Sequence, residues 1–132
     1  MVTRIGSDKN YTYGFTLIEL LVVLAIMATL SAIVAPRYFA SIDKAKEAAL
    51  RSDLRILRES IDKYRADTGK YPASLNTLVV ERYIYSIPCD PFTDSSATWK
   101  ITEPPDSTTS GIFDVHSGAS GLGANGVPYQ KW

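Results

Sequence analysis

Phe15–Ala35 reads FTLIELLVVLAIMATLSAIVA, and its 21 residues carry a single charge, Glu19. As a helix rising about 1.5 Å per residue, the run spans roughly 30 Å, the hydrocarbon thickness of a bilayer. A buried core helix would need protein on every face, and the rest of the chain is too short to supply it. A secretory signal peptide would have a shorter apolar region, of about 7–15 residues, ending in a small-x-small cleavage site. Here a cut after Ala35 would place the imino nitrogen of Pro36 at the scissile bond. The run is expected to be a retained membrane helix.

On its C-terminal side the pattern changes without a linker. Tyr38, Ile42, Ala45 and Ala49, then Leu50, Leu54, Leu57, Ile61 and Tyr64, recur at spacings of three and four, an apolar stripe on a helix. Asp43/Glu47, Lys44, Arg51/Arg55 and Glu59/Lys63 are expected on the solvent-facing sides. Gly69 after Asp67-Thr68 reads as a left-handed C-cap, and Pro72 bars continuation. Residues 15–35 and 36–67 thus form two halves of one helix of about 50 residues, near 80 Å long, with a bend expected at Pro36.

Residues 68–132 are too few to bury a good core alone, and the helix stripe is the obvious surface for them to pack on. Trp99–Thr102 (WKIT) and Gly111–Val115 (GIFDV) have strand character, joined across a Pro-Pro-Asp-Ser turn region. Ser74–Val80 (SLNTLVV) reads as a short capped helical turn. Residues 117–126 hold four glycines and form a loop, and Val127–Trp132 (VPYQKW) is expected to return as a last strand or edge. The fold class is α+β, a long N-terminal helix packed against a small antiparallel sheet.

Composition excludes several classes. Across 132 residues, 14 basic and 14 acidic side chains cancel, leaving no global field to attract nucleic acid. Charge does partition, with residues 36–67 net positive and residues 68–132 net negative. That division suits a solvated helix face beside an acidic head, and also neighbouring copies that stack in register. One cysteine excludes an intrachain disulfide, and one histidine leaves little for a metal site or relay triad. Cys89 sits in the rigid turn Pro88-Cys89-Asp90-Pro91, not the setting of an activated nucleophile. His116 stands alone in a glycine-rich segment, and Asp62/Asp67 or Asp90/Asp94 read as solvated turn and helix carboxylates. No catalytic site is expected.

Gly14-Phe15-Thr16-Leu17-Ile18-Glu19 (GFTLIE), running directly into the apolar helix, resembles the signature of type IV pilins and type II secretion pseudopilins. Counting from Phe15, Glu19 is fifth and Pro36 twenty-second. The resemblance implies a pilin-like fold, a leader at residues 1–14, and a prepilin peptidase that cuts between Gly14 and Phe15 and methylates the new Phe15 amine. The leader carries Arg4, Asp8 and Lys9 and ends Tyr13-Gly14, where family leaders often end in a basic residue and glycine. A glycine there lets the backbone approach an active site closely. A carboxylate inside an apolar run is costly and needs a partner. The family assigns Glu19 the Phe15 amine of an adjacent subunit, a buried pair that sets register. Lipid headgroups are its other possible surroundings.

Further on, Asp67-Thr68-Gly69-Lys70-Tyr71-Pro72 and Ile87-Pro88-Cys89-Asp90-Pro91-Phe92 are similar to segments of the major, G-type pseudopilin, as are Gly111–Val115 and terminal Trp132. The resemblance implies an inner-membrane, single-pass protein with a cytoplasmic N-terminus and a periplasmic head. It implies self-assembly with other pseudopilins, at the inner-membrane secretion platform, into a filament that drives folded proteins through an outer-membrane pore. The alternative is a type IV pilin or minor pilin for motility, adhesion or DNA uptake. G-type pseudopilins also bind calcium in their C-terminal loop, and calcium wants six to eight oxygens. Here His116–Gly126 has no Asp or Glu, so Asp114, Ser117, Asn125 and carbonyls are the only candidate donors. The expectation is a glycine loop held by its own hydrogen bonds.

Overall fold

In the computed structural model, residues 2, 3, 6 and 13–132 are described. The expected helix forms as one element, α1 (Leu17–Thr68), with Pro36 inside it. Proline lacks an N–H, so the Ala32 carbonyl loses its helical donor there. The chain divides into two compact units, Met1–Phe39 and Ala40–Trp132.

In the first unit, every described residue from 13 to 39 is exposed. This part of α1 is long and apolar enough to cross a membrane, and none of its most apolar window is covered by protein. The Thr29 hydroxyl donates back to the Ile26 carbonyl at 2.8 Å, so even this polar group is satisfied within the helix.

In the second unit, the stripe on α1 is buried from Leu50 onward. Leu50, Leu54, Leu57 and Ile61 meet Leu78, Ile84, Trp99, Ile112, Val115 and Tyr129. Each fully buried aliphatic side chain contributes about 1.5–3 kcal/mol. Of the stripe's upper members, Ile42 is half-buried, while Tyr38, Ala45 and Ala49 are exposed. Gly69 closes α1 at φ +73°, its N–H donating to the Arg65 carbonyl at 2.8 Å. α2 (Leu75–Val80) follows, capped by Ser74, whose hydroxyl accepts from the Thr77 N–H.

β1 (Lys100–Thr102) and β2 (Asp114–His116) pair antiparallel, with Ile101 opposite Val115. A two-stranded ribbon is marginal alone, and the fully buried Val115 is what ties it to α1. The strand expected at Gly111–Val115 starts later because Ile112 N–H donates to the Pro72 carbonyl before the ladder begins. The last strand expected at Val127–Trp132 is a 3-10 turn instead, Tyr129–Lys131. Pro128 makes an isolated bridge with Leu122 and, lacking an N–H, cannot continue a ladder.

Candidate functional site

The first site is the start of α1. Thr16 precedes the helix and Glu19 is its third residue, the spacing of a capping box. The Glu19 N–H donates to Thr16 Oγ1 at 3.2 Å, and the Thr16 N–H reaches Glu19 Oε2 at 3.5 Å, the outer limit of a hydrogen bond. Glu19 therefore has a local structural role that its place in the apolar run did not suggest. Phe15 is 90% exposed, and among the described residues nothing beyond its chain neighbours lies within 4 Å of where a side chain on Gly14 would begin. Around residue 14 the chain offers an uncovered backbone followed by a bare aromatic ring. Arg4, Asp8 and Lys9 of the expected leader lie outside the described residues.

The second site is the C-terminal loop. Asp114 Oδ1 accepts from Arg58 Nε at 2.7 Å and from the Val115 N–H at 2.7 Å. Its other oxygen lies 3.3 Å from His116 Nε2. Ser117 is fully buried and donates its hydroxyl to Asp90 Oδ2. Asn125 Oδ1 accepts from the Val127 N–H at 3.1 Å, closing a turn. Each of the three candidate side-chain donors is thus engaged by a different protein partner. Among the described residues, no three His, Cys, Asp or Glu side chains are grouped to hold a metal. At Gly118 the loop presses on Thr98, whose carbonyl oxygen lies 1.9 Å from where a Cβ would stand, so the inner side is closed by backbone.

The loop is not held only by itself. Glu47, expected in solvent, accepts from the Ala124 N–H at 2.7 Å and from the Tyr129 hydroxyl at 3.1 Å. Arg51 stacks on the Trp132 ring at 4.5 Å. Arg58 also donates from Nη2 to the carbonyls of Val115 and Trp132, at 2.9 and 2.8 Å. Burial and the Glu47 contact raise the Tyr129 phenol above its ordinary pKa. A signal for these anchors was present: Glu47, Leu50, Leu54 and Arg58 are spaced three, four and four, which puts two charges on the apolar face.

The remaining polar candidates are structural in their surroundings. Asp90 is fully buried, accepting from the Phe92 N–H at 2.9 Å as well as from Ser117, so it fixes the Pro88–Pro91 turn against the loop. Cys89 beside it is exposed and free. Asp67 accepts from the Tyr83 hydroxyl at 2.9 Å, a bond that holds the Tyr83 phenol above its ordinary pKa. Half-buried Asp53 has its carboxyl raised by burial and then by the nearby charge of Asp90. His116 places Nδ1 2.6 Å from the Trp132 carbonyl.

Residues 9–35 match the family described as "Prokaryotic N-terminal methylation motif". The chain is 30% identical to type II secretion system core protein G of Pseudomonas aeruginosa, over 90% of this chain and 88% of that protein. It is 29% identical to core protein G of Klebsiella michiganensis, over 87% and 85% of the two chains. With the Vibrio cholerae protein of the same name the identity is 28%, over 85% and 88%. No solved structure matches. A bare apolar helix start, a methylation motif and 30% identity over 90% of the chain place it in the type II secretion core protein G family of pseudopilins.

Proposed function

We propose that the chain is a structural subunit of a periplasmic pseudopilus that drives type II protein secretion, and that its work is assembly rather than catalysis. The observation that carries this reading is the contrast within α1, buried under the head from Leu50 onward and uncovered on every face from Leu17 to Phe39. An uncovered apolar helix needs lipid before assembly and other copies of itself afterwards. Prepilin peptidase cuts between Gly14 and Phe15 and methylates the Phe15 amine. Residues 15–35 span the inner membrane with the N-terminus in the cytoplasm and the head in the periplasm. Pro36, with one helical bond missing, is where the helix yields as subunits leave the bilayer to join other pseudopilins at the secretion platform. The likeness of the head to core protein G favours this reading over a surface pilus.

Glu19 directs entry into the filament by neutralising the Phe15 amine of the neighbouring subunit. Glu19→Leu should still be processed and still reside in the membrane, since removing a charge makes insertion easier. Assembly should fail, because leaving one side of a buried pair unmatched costs about 3–5 kcal/mol. At about 1.4 kcal/mol per tenfold, that is roughly a hundredfold to a thousandfold or more against the filament. Sheared filament yield and secreted protein, normalised to processed monomer, measure it. Normal filaments from Glu19→Leu at normal monomer level would remove the charge-pair mechanism.

A further inference from the structure

We propose that side chains of α1 take the place of a divalent cation in this head: Arg58 supplies the positive charge that organises the C-terminal loop, and Glu47 and Arg51 pin its far end. A loop-bound cation would do two things, neutralising a carboxylate and drawing separate carbonyls to one point. Arg58 does both. Its Nε meets Asp114 at 2.7 Å, and its Nη2 gathers the carbonyls of Val115 and Trp132, residues from the two ends of the loop. A planar guanidinium offers this fork of donors where an ammonium offers a point charge.

The pinning residues repeat the logic. The Glu47 carboxylate takes the Ala124 N–H at the loop's tip and the hydroxyl of Tyr129 just beyond it. Tyr129 stacks on Phe92 at 4.2 Å and meets Trp132 edge-on, with Arg51 over the Trp132 ring. Glu47, Arg51 and Arg58 lie four and seven residues apart on one face of α1, so a single rigid element presents all three. The loop's lack of carboxylates is then the complement of a helix that already carries the cation. The proposal is independent of the filament reading, since it concerns how the head holds together.

The test uses the full chain in detergent micelles, with head unfolding followed by the fluorescence of its two tryptophans, Trp99 and Trp132. Wild-type midpoints with about 10 mM calcium and with excess chelator should coincide, although that concentration exceeds the dissociation constants of weak extracellular calcium sites. Arg58→Ala should lower the midpoint by on the order of 10 °C, equally in both conditions. Asp114→Asn, which keeps the loop's shape, covers the case in which Arg58→Ala does not fold. Its midpoint should fall by the same amount with calcium as with chelator. A wild-type midpoint several degrees higher in calcium would overturn the proposal, as would loss in Asp114→Asn confined to calcium-containing buffer. An Arg58→Ala midpoint equal to wild type would overturn it too.

Discussion

Glu47→Ala tests the docking of the C-terminal loop most directly. The substitution removes a half-buried carboxylate and with it the acceptor for the Ala124 N–H and the Tyr129 hydroxyl. Hydrogen bonds to a charged group are worth about 1.5–3 kcal/mol each, and the exposed bond to Ala124 falls below that range, so the pair sums to roughly 2–3 kcal/mol. For a unit of this size about 1 kcal/mol moves the melting midpoint by roughly 4–8 °C, which sets the expected drop at about 8–24 °C. Two companions divide the effect. Tyr129→Phe removes only the hydroxyl bond and should give a smaller part of the loss. Asp43→Ala, an exposed carboxylate one turn earlier, changes the net charge equally and should move the midpoint little. Hydrogen exchange at the Ala124 amide should accelerate in Glu47→Ala while the amides of α2 stay protected. A Glu47→Ala midpoint matching that of Asp43→Ala would refute the anchoring role and return Glu47 to the solvated face.

Two further outcomes are expected. Asp53 has a folded-state pKa raised above the ordinary 3.8, so the folded state holds its proton more tightly than the unfolded one. Its ionisation costs stability as pH rises through the folded value, and the cost is absent below the ordinary aspartate range. Asp53→Asn should therefore melt higher than wild type at neutral pH, with the gap closing on acidification; a gap that widens toward acid would reverse the assignment. Leu57→Ala, at a fully buried stripe position, should cost about 2–5 kcal/mol in denaturant unfolding, while Ile56→Ala, next to it but 46% exposed, should cost much less.

Much of the architecture was legible because it rests on local signals. The apolar run, the spacing from Leu50 to Tyr64, Ser74 before α2 and Gly69 after α1 each act within a turn or two, and they fall where the elements begin and end. The strands were misplaced by a few residues because their limits depend on distant partners: Pro72 takes the N–H of Ile112. The anchors of the loop were missed for the same reason. Arg58 and Glu47 bond to residues 56 to 82 positions away, and charged residues on a helix read by default as solvated. Their position on the apolar face was the available clue, since a charge facing a core must meet a partner there. The capping role of Glu19 was equally visible in the T-x-x-E spacing, which the cost of a charge in an apolar run overshadowed.

That capping role bears on how a subunit could leave the bilayer. In the single chain, the Glu19 carboxylate has one polar contact among the described residues, a 3.5 Å approach to the Thr16 N–H, while the firmer half of the box is the 3.2 Å bond from the Glu19 N–H to Thr16. The firmer half does not use the carboxylate. Turning Glu19 toward a neighbour's Phe15 amine thus forfeits only the weaker half, out of a cap worth about 0.5–2 kcal/mol in total. What stands against it is the larger penalty of about 3–5 kcal/mol for leaving a buried charge unmatched. On the proposed function, the balance favours pairing only where the amine is also shielded from water, which is the filament's interior and not the headgroup layer. The helix start remains capped by Thr16 in either state, so its first turn need not unravel as the carboxylate changes partner.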